Sequence, residues 1–396
     1  MASVENLTSP FGDEFEARLE DLKKPGLQAA TLPPEAYWSP ELYELEIQKI
    51  FFKEWVCVGR VEDVPNPGDF VTHEIATESL IIVRDHENEI HVHHNVCRHR
   101  GCQIVDGAGN TPAFKCPYHG WMYGLGGDLR GAPEFRHTEN FDKKDYPLVS
   151  AQVEIWEGFI MVNLDPEAEP FAPRVSEMSR FGLDKYGMGD HVTIHRWHFR
   201  LNCNWKEWVE NSIEEYHIPW VHTETFQAVS PMKGWVEFPD ITEQPWIVMV
   251  GQFPGFSYSD TGDPLFPVTP ATADLAPEHS GMPIWIAYPS LGVLNSVDTT
   301  VYYVLLPDGP DHCHLRLGLA VAPESAEALA RGDDPVLQAA HEEYVRNIDA
   351  FLVEDNAIAE QQHRGQRSRH AKPGRFSKHE LLAWKFDKWV AERAYS

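Results

Sequence analysis

Two short loops do most to limit what this chain can fold into. Cys97-Arg98-His99 is followed, after sixteen residues, by Cys116-Pro117-Tyr118-His119. Each loop offers one thiolate and one imidazole, and turn residues hold both: Gly101 follows the first pair, and Pro117 and Gly120 bracket the second. Two such loops must approach each other, which short extended segments achieve. Two readings of the donor set remain open. A tetrahedral Zn²⁺ accepts two thiolates and two imidazoles. A [2Fe–2S] cluster with His₂ in place of Cys₂ on one iron takes the same atoms. Zinc fingers usually group Cys with Cys and His with His. One of each per loop suits a cluster whose irons are held separately by sulfur and nitrogen.

A second pattern lies about a hundred residues on, in Glu214-Glu215-Tyr216-His217-Ile218-Pro219-Trp220-Val221-His222. His-x₄-His beside carboxylates is the raw material of a 2-His-1-carboxylate site for mononuclear Fe(II). Glu214 and His217, three apart, are expected to share one face of a helix. Pro219 is expected to break that helix and let His222 swing back toward the same ion. One centre would store electrons and the other handle O₂, the combination of an oxygenase.

The formal net charge of −28 argues against nucleic acid and anionic membrane surfaces as partners. The N-terminus lacks the basic start and apolar core of a signal peptide, and no run approaches a membrane span. Six cysteines make no disulfide framework, so a cytoplasmic location is expected, with Cys57, Cys102, Cys203 and Cys313 as buried, inert thiols.

Residues 1–40 are rich in Pro and acids, and Ser39-Pro40 reads as a capped helix start running through Ile47, Ile50 and Phe51. Extended segments follow at 70–75, 80–84, 90–95 and 158–164, and Gly126-Gly127-Asp128 marks a hairpin. The second half alternates strands (193–201, 235–238, 246–251, 283–288, 299–306, 314–321) with helices over 205–217, 336–362 and 381–394. The expected class is α+β. A small all-β domain over 46–162 is inserted ahead of a catalytic domain over 163–396, in which an antiparallel sheet grips long helices; 1–45 forms an N-terminal arm.

The two Cys/His loops resemble the Rieske motif of the ring-hydroxylating oxygenase alpha subunit family. The string Asn204-Trp205-Lys206, Glu210-Asn211, Glu214, His217 and His222 is similar to the start of that family's catalytic domain. The likeness runs from about residue 40 to the end. Respiratory Rieske proteins carry an extra, disulfide-bonded cysteine in each loop. Here Tyr118 stands opposite Cys102, so that bond is excluded, and a cluster of lower potential is expected. The resemblance implies that Cys97, His99, Cys116 and His119 hold the [2Fe–2S] cluster. It implies that His217 and His222 bind Fe(II) with an aspartate from a late helix, for which Asp355 is the candidate and Asp349 the fallback. It further implies that Glu214 links the first iron histidine to His119 of a neighbouring subunit. Glu at this position is common among homotrimeric members that oxidise quaternary ammonium compounds. His363 falls near a position where the family often has Gln.

The implied activity is that of a terminal oxygenase, as a homotrimer or α₃β₃ assembly. It would use O₂ and electrons from NAD(P)H, through a separate ferredoxin-type reductase, to hydroxylate or dealkylate a small aromatic or quaternary ammonium substrate. No GxGxxG follows a strand, so the chain shows no dinucleotide domain of its own. Arg98, Arg100 and Lys115 fit either a docking face for an acidic electron donor or packing against carbonyls. Phe226, Trp235, Phe238, Trp246, Trp285, Tyr288, Tyr302 and Tyr303 could cage an ammonium, though alternating aromatics equally build core or sheet surface. A zinc-stabilised binding protein and a pure Rieske-type electron carrier are the rival readings.

Overall fold

Short strands joined by glycine-bearing turns fill residues 51–172, which form one compact unit in the computed structural model. The structure describes residues 12–237, 245–253, 255–268, 272 and 281–396. In chain order the strands of this unit are β1 (Val56–Arg60), β2 (Asp69–Ile75), β3 (Glu78–Arg84), β4 (Ile90–His94), β5 (Ala108–Asn110), β6 (Phe114–Lys115), β7 (Met122–Tyr123), β8 (Leu129–Gly131), β9 (Gln152–Trp156) and β10 (Phe159–Asn163). They pair antiparallel in three sheets, ordered β1-β10-β9, β4-β3-β2-β5 and β6-β7-β8. Side chains that alternate inward, including Ile81, Val83, Phe114, Trp121 and Tyr123, make a core that also takes in Cys97 and Cys116.

The second unit combines the residues up to Ile50 with Pro173–Ser396. The units thus divide at Phe51 and Pro173, where the sequence places the divisions at 46 and 163. A seven-stranded antiparallel sheet runs in the order β11-β17-β16-β15-β14-β13-β12. Its strands are β11 (Val192–Leu201), β12 (Trp235–Glu237), β13 (Trp246–Gly251), β14 (Met282–Ala287), β15 (Leu291–Asn295), β16 (Thr300–Pro307) and β17 (Cys313–Val321). After β11 the chain leaves the sheet through the helix Trp205–Ser212, re-enters at the opposite edge as β12, and meanders back. The helix Pro335–Gln366 carries one buried stripe, Leu337, Ala340, Tyr344, Ile348, Leu352, Asp355, Ala359 and His363, at the three-to-four spacing of a packed helix. Among the described residues no helix is long and apolar enough to cross a membrane.

Several details differ from expectation. The Pro- and acid-rich N-terminal arm, in which no helix is expected before Ser39, contains the helix Gly12–Leu22, whose Phe15, Leu19 and Leu22 are buried. Strands β1, β9 and β15 and the helix Pro323–Arg331 are absent from the sequence reading, and Phe238, expected to end β12, lies outside the described residues. The helix expected over 205–217 stops at Ser212, so Glu214 and His217 do not share a helical face.

The N-terminal residues are sewn to the C-terminus by buried polar groups. Glu46 accepts from Lys206 Nζ and Trp205 Nε1, both at 2.6 Å, and from the Tyr395 hydroxyl. Nearby, the Glu210 carboxyl accepts from Tyr37 at 2.8 Å and faces Asp387. Asp387 accepts from the Leu32 N–H at 3.3 Å, but its other oxygen is buried without a donor, which a proton shared with Glu210 supplies. Burial raises the pKa of Asp387 to about 7. Such a raised value means that stability is greatest below the ordinary carboxyl range. It falls as pH rises from about 4 toward 7, where the unfolded chain has released this proton and the folded one holds it. The Asp387→Asn variant keeps a donor toward Glu210 and an acceptor for Leu32. Its thermal midpoint should exceed that of the parent at pH 8 and show a weaker decline between pH 5 and 8; parallel curves for the two proteins would refute the shared proton.

Candidate metal centres

The two loops of the all-β unit are built alike. In each, the cysteine N–H donates to the carbonyl of the residue five positions on, Cys97 to Cys102 and Cys116 to Trp121, both at 2.8 Å. The glycine four positions after each cysteine returns its N–H to the cysteine carbonyl, Gly101 at 3.0 Å and Gly120 at 3.1 Å. Both glycines have left-handed backbones, φ of 70° and 72°, which a side chain would strain. The loops bring the four predicted donors together. The His99 and His119 ring centroids lie 4.7 Å apart, and the two thiols are within hydrogen-bonding reach of each other. His99 stacks on Trp121, and its Nδ1 is buried with no hydrogen-bond partner. A buried, unpartnered ring nitrogen beside a second imidazole, with two thiols close to each other on the same loops, fits a [2Fe–2S] cluster.

Burial raises the Cys97 pKa, whereas backbone N–H groups favour the Cys116 sulfur as a thiolate. Burial opposes ionisation of Cys116, but the Tyr118 and His119 N–H groups outweigh it and lower its pKa. Tyr123, which the sequence reading did not single out, places its hydroxyl 3.3 Å from Cys97 Sγ while accepting the Arg98 N–H at 3.0 Å. Cys102 is not the buried thiol expected. It is partly exposed and lies beside Cys97 and Cys116, while Cys57, Cys203 and Cys313 are buried. Arg98, Arg100 and Lys115 are exposed around this end of the unit.

In the second unit the chain turns sharply after the helix Trp205–Ser212. Glu214 closes this turn: its Oε2 accepts the His217 backbone N–H at 3.0 Å and its Oε1 lies 2.5 Å from His217 Nδ1. Pro219 sits inside the first turn of the short helix Ile218–Val221, starting a helix where the sequence reading had it break one. His217 and His222 flank that helix, with Nε2 atoms 3.2 Å apart. Asp355 Oδ1 is 2.9 Å from His222 Nε2 and 3.7 Å from His217 Nε2. Ligands held at right angles around one ion, with bonds of about 2.1 Å, lie about 3 Å apart. Asp349, the alternative third ligand, is elsewhere: it accepts from Trp197 Nε1 at 2.7 Å.

The donor chemistry suits a cation. His222 Nδ1 lies 2.8 Å from Glu354 Oε2, and His217 Nδ1 lies 2.5 Å from Glu214 Oε1. A carboxylate only accepts, so each Nδ1 carries the proton and each Nε2 presents a lone pair. With both imidazoles neutral, two lone pairs and a carboxylate oxygen converge with nothing to donate between them, an arrangement that a cation satisfies. Burial disfavours imidazolium at His217, yet Glu214 and Asp355 outweigh it and raise its pKa; Asp355 and Glu354 do the same for His222. Asn211 Nδ2 donates to Asp355 at 3.0 Å, and Trp208 Nε1 to Asn356 at 3.0 Å, so the short helix grips the long one at the site. Glu354, also bonded by Thr225 at 2.7 Å, had no sequence signal beyond its neighbour Asp355. The Glu354→Gln variant is expected to bind iron on the order of 10- to 100-fold more weakly, as measured by chelator competition; unchanged affinity would remove Glu354 from the site.

A cavity of about 680 Å³ opens over these atoms, with mostly apolar lining. Of the aromatic candidates, Phe226, Trp235 and Tyr303 line it, joined by Trp208, Tyr258 and Phe351. Trp246 and Trp285 pack against Phe181, Tyr288 against Phe386 and Trp389, and Tyr302 bonds Thr193. Phe238 lies outside the described residues. His363 is buried between Glu207 and Asp311, at 2.9 and 3.0 Å, and anchors the end of the long helix.

A family profile described as the ring hydroxylating alpha subunit (catalytic domain) matches residues 188–395, and one described as the Rieske [2Fe-2S] domain matches residues 54–142. Choline monooxygenase of Beta vulgaris is 33% identical over 226 residues, 56% of this chain and 49% of that protein. The chain thus matches about half the length of this relative. The carnitine monooxygenase oxygenase subunit of Acinetobacter pittii is 29% identical over 259 residues, 65% of this chain and 67% of that protein. The crystal structure of a quaternary ammonium Rieske monooxygenase with L-carnitine superposes with a TM-score of 0.77 at 23% identity, covering 95% of this chain and 98% of that one.

Proposed function

The chain belongs to the ring hydroxylating alpha subunit family, and from that premise we propose that it is the terminal oxygenase of a Rieske non-heme iron system. It hydroxylates or oxidatively dealkylates a small organic substrate, aromatic or quaternary ammonium, with O₂ and electrons from a separate NAD(P)H-dependent reductase. The observation that carries this reading is the convergence of His217, His222 and Asp355 on one point at an apolar cavity. Fe(II) bound there supplies the activation of O₂, with positions left open by a three-residue ligand set.

The chain's own residues do the rest. Glu214 and Glu354 fix both imidazoles in the tautomer that presents Nε2. Asn211 holds Asp355 in place. The apolar walls exclude water from the reacting groups and orient the substrate. Cys97, His99, Cys116 and His119 hold the cluster, and Tyr123 and the loop N–H groups donate to its sulfurs.

Electrons pass from His119 of one subunit to Glu214 of its neighbour, in a homotrimer or an α₃β₃ assembly. Exposed apolar side chains at both ends of this path support that reading. Tyr118 is 57% exposed beside His119, and Trp220 is 76% exposed beside the Glu214–His217 turn. Arg98, Arg100 and Lys115 offer an acidic electron donor a complementary surface. Six free cysteines suit a reducing cytoplasm.

The test is the anaerobically purified protein. It should be brown-red with about three irons per chain, two in the cluster and one mononuclear. A colourless, zinc-bearing protein contradicts the reading, and about two irons per chain would leave an electron carrier.

A further inference from the structure

Resting on the oxygenase reading, we propose that the substrate carries no anionic group. The cavity takes a compact apolar body, neutral or singly cationic, and rejects carboxylates. The sequence of the cavity wall carries this proposal. From Gly234 to Leu315, the stretch that supplies β12 to β16, the chain contains no Lys or Arg and ten Asp or Glu. Aliphatic side chains from these strands, Met249, Ile284, Leu294 and Val301, face the space over the three metal donors. Few polar groups remain there, and those without a partner are neutral: the Ser212 and Tyr303 hydroxyls bond each other at 2.8 Å and Asn211 holds Asp355, which leaves the Tyr258 hydroxyl and Trp235 Nε1.

A second cavity of about 630 Å³ shares Phe226, Tyr258 and Phe351 with the first and continues the pattern. Glu224 and Asp260 line it, with no Lys or Arg among its described lining residues. The guanidinium of Arg346 is bonded to Asp260 at 2.8 and 2.9 Å.

A carboxylate entering this space would lose its hydration and meet no counter-charge except the iron. There it would compete with O₂ for open positions and face the negative charges of Glu214 and Asp355. An alkylammonium meets aromatic faces and those same carboxylates, and a neutral ring meets the aliphatic wall. Carnitine, on which the Acinetobacter relative acts by its name, is a zwitterion whose carboxylate finds no Lys or Arg among the described residues that line this cavity.

The test uses matched probes on the iron-loaded protein, read by quenching of tryptophan fluorescence, since Trp208 and Trp235 line the cavity. The pairs are choline with glycine betaine, and 2-phenylethanol with phenylacetate; which pair binds more tightly separates cationic from neutral substrates. Within each binding pair, the carboxylate should bind at least tenfold more weakly. The Leu294→Arg variant, or Met249→Lys where the first does not fold, should tighten carboxylate binding at least tenfold with the cluster spectrum unchanged. A carboxylate that binds as tightly as its partner overturns the proposal. So does a panel in which no neutral or cationic member binds, or a well-folded variant with no gain. A colourless protein that still discriminates defeats the oxygenase reading alone; a coloured, active protein that oxidises the carboxylates defeats only this inference.

Discussion

Replacing Asp355 with Ala is expected to strip one iron from each chain and lower turnover on the order of a thousandfold, with the brown-red cluster left in place. Asp355 is 8% exposed and supplies the only carboxylate oxygen within reach of both imidazole Nε2 atoms among the described residues. Without it, two neutral lone pairs face an ion that needs a third ligand, and the variant has no other acid to recruit. Glu354, its neighbour in sequence, is already bonded to His222 Nδ1 and Thr225. Asp349→Ala is the matched control: it breaks the bond to Trp197 and should leave the iron content unchanged. Iron analysis, the visible spectrum and product formation together check this. Full iron occupancy in the Asp355→Ala variant, or iron loss in Asp349→Ala, would reverse the assignment.

Loaded to the same iron content as the parent, the Glu214→Gln variant is expected still to lose about 100-fold in turnover. Glu214 makes two contacts with His217, one to the ring and one to the backbone, and its side chain is 12% exposed. An amide can still accept the backbone bond and hold the turn. It cannot supply the negative charge that steadies the Nδ1 proton while an electron arrives at the far side of the ring. The discriminating readout is the rate at which reduced cluster is reoxidised by O₂ with substrate present, which should slow in step with turnover. The Glu354→Gln change weakens iron in the same way but lies off the electron path, so once iron is loaded the cluster should reoxidise at the parent rate. Cluster reoxidation at the parent rate in the Glu214→Gln variant would take Glu214 out of the electron path.

The sequence spoke most clearly where chemistry and spacing coincide. Cysteine, histidine and glycine at fixed offsets can close a metal loop in few ways, so the four donors of the first centre were legible without a fold. The sequence reading left Asp349 open beside Asp355, and the helical period separates the two. Ile348, Leu352 and Ala359 mark the buried stripe, and Asp355 falls on it while Asp349 does not. The turn at Glu214 was misread because helical spacing and a capping contact both place residues three apart. Only the Ile213 N–H closing on Glu210 shows that the helix has ended. Strand period should have split the adjacent pair Tyr302 and Tyr303, since consecutive residues face opposite sides of a sheet. Tyr303 lies over Gly292, where a Cβ would come within 2.0 Å of its ring, and lines the cavity; Tyr302 points to the other side. Glu354 and Tyr258 carry no local pattern, because what places them is the meeting of elements far apart in the chain.

The claim on which the rest depends is that electrons held at one centre are consumed at the other, across neighbouring subunits. Complementation tests it most directly. A Cys116→Ser chain keeps the mononuclear site without a cluster, and a His217→Ala chain keeps the cluster without the mononuclear site. Each alone should be inactive. Mixed oligomers, isolated with a different tag on each chain, should regain product formation in proportion to their content of both. Mixed oligomers that contain both chains, hold both kinds of iron and remain as inactive as either variant alone would contradict the account.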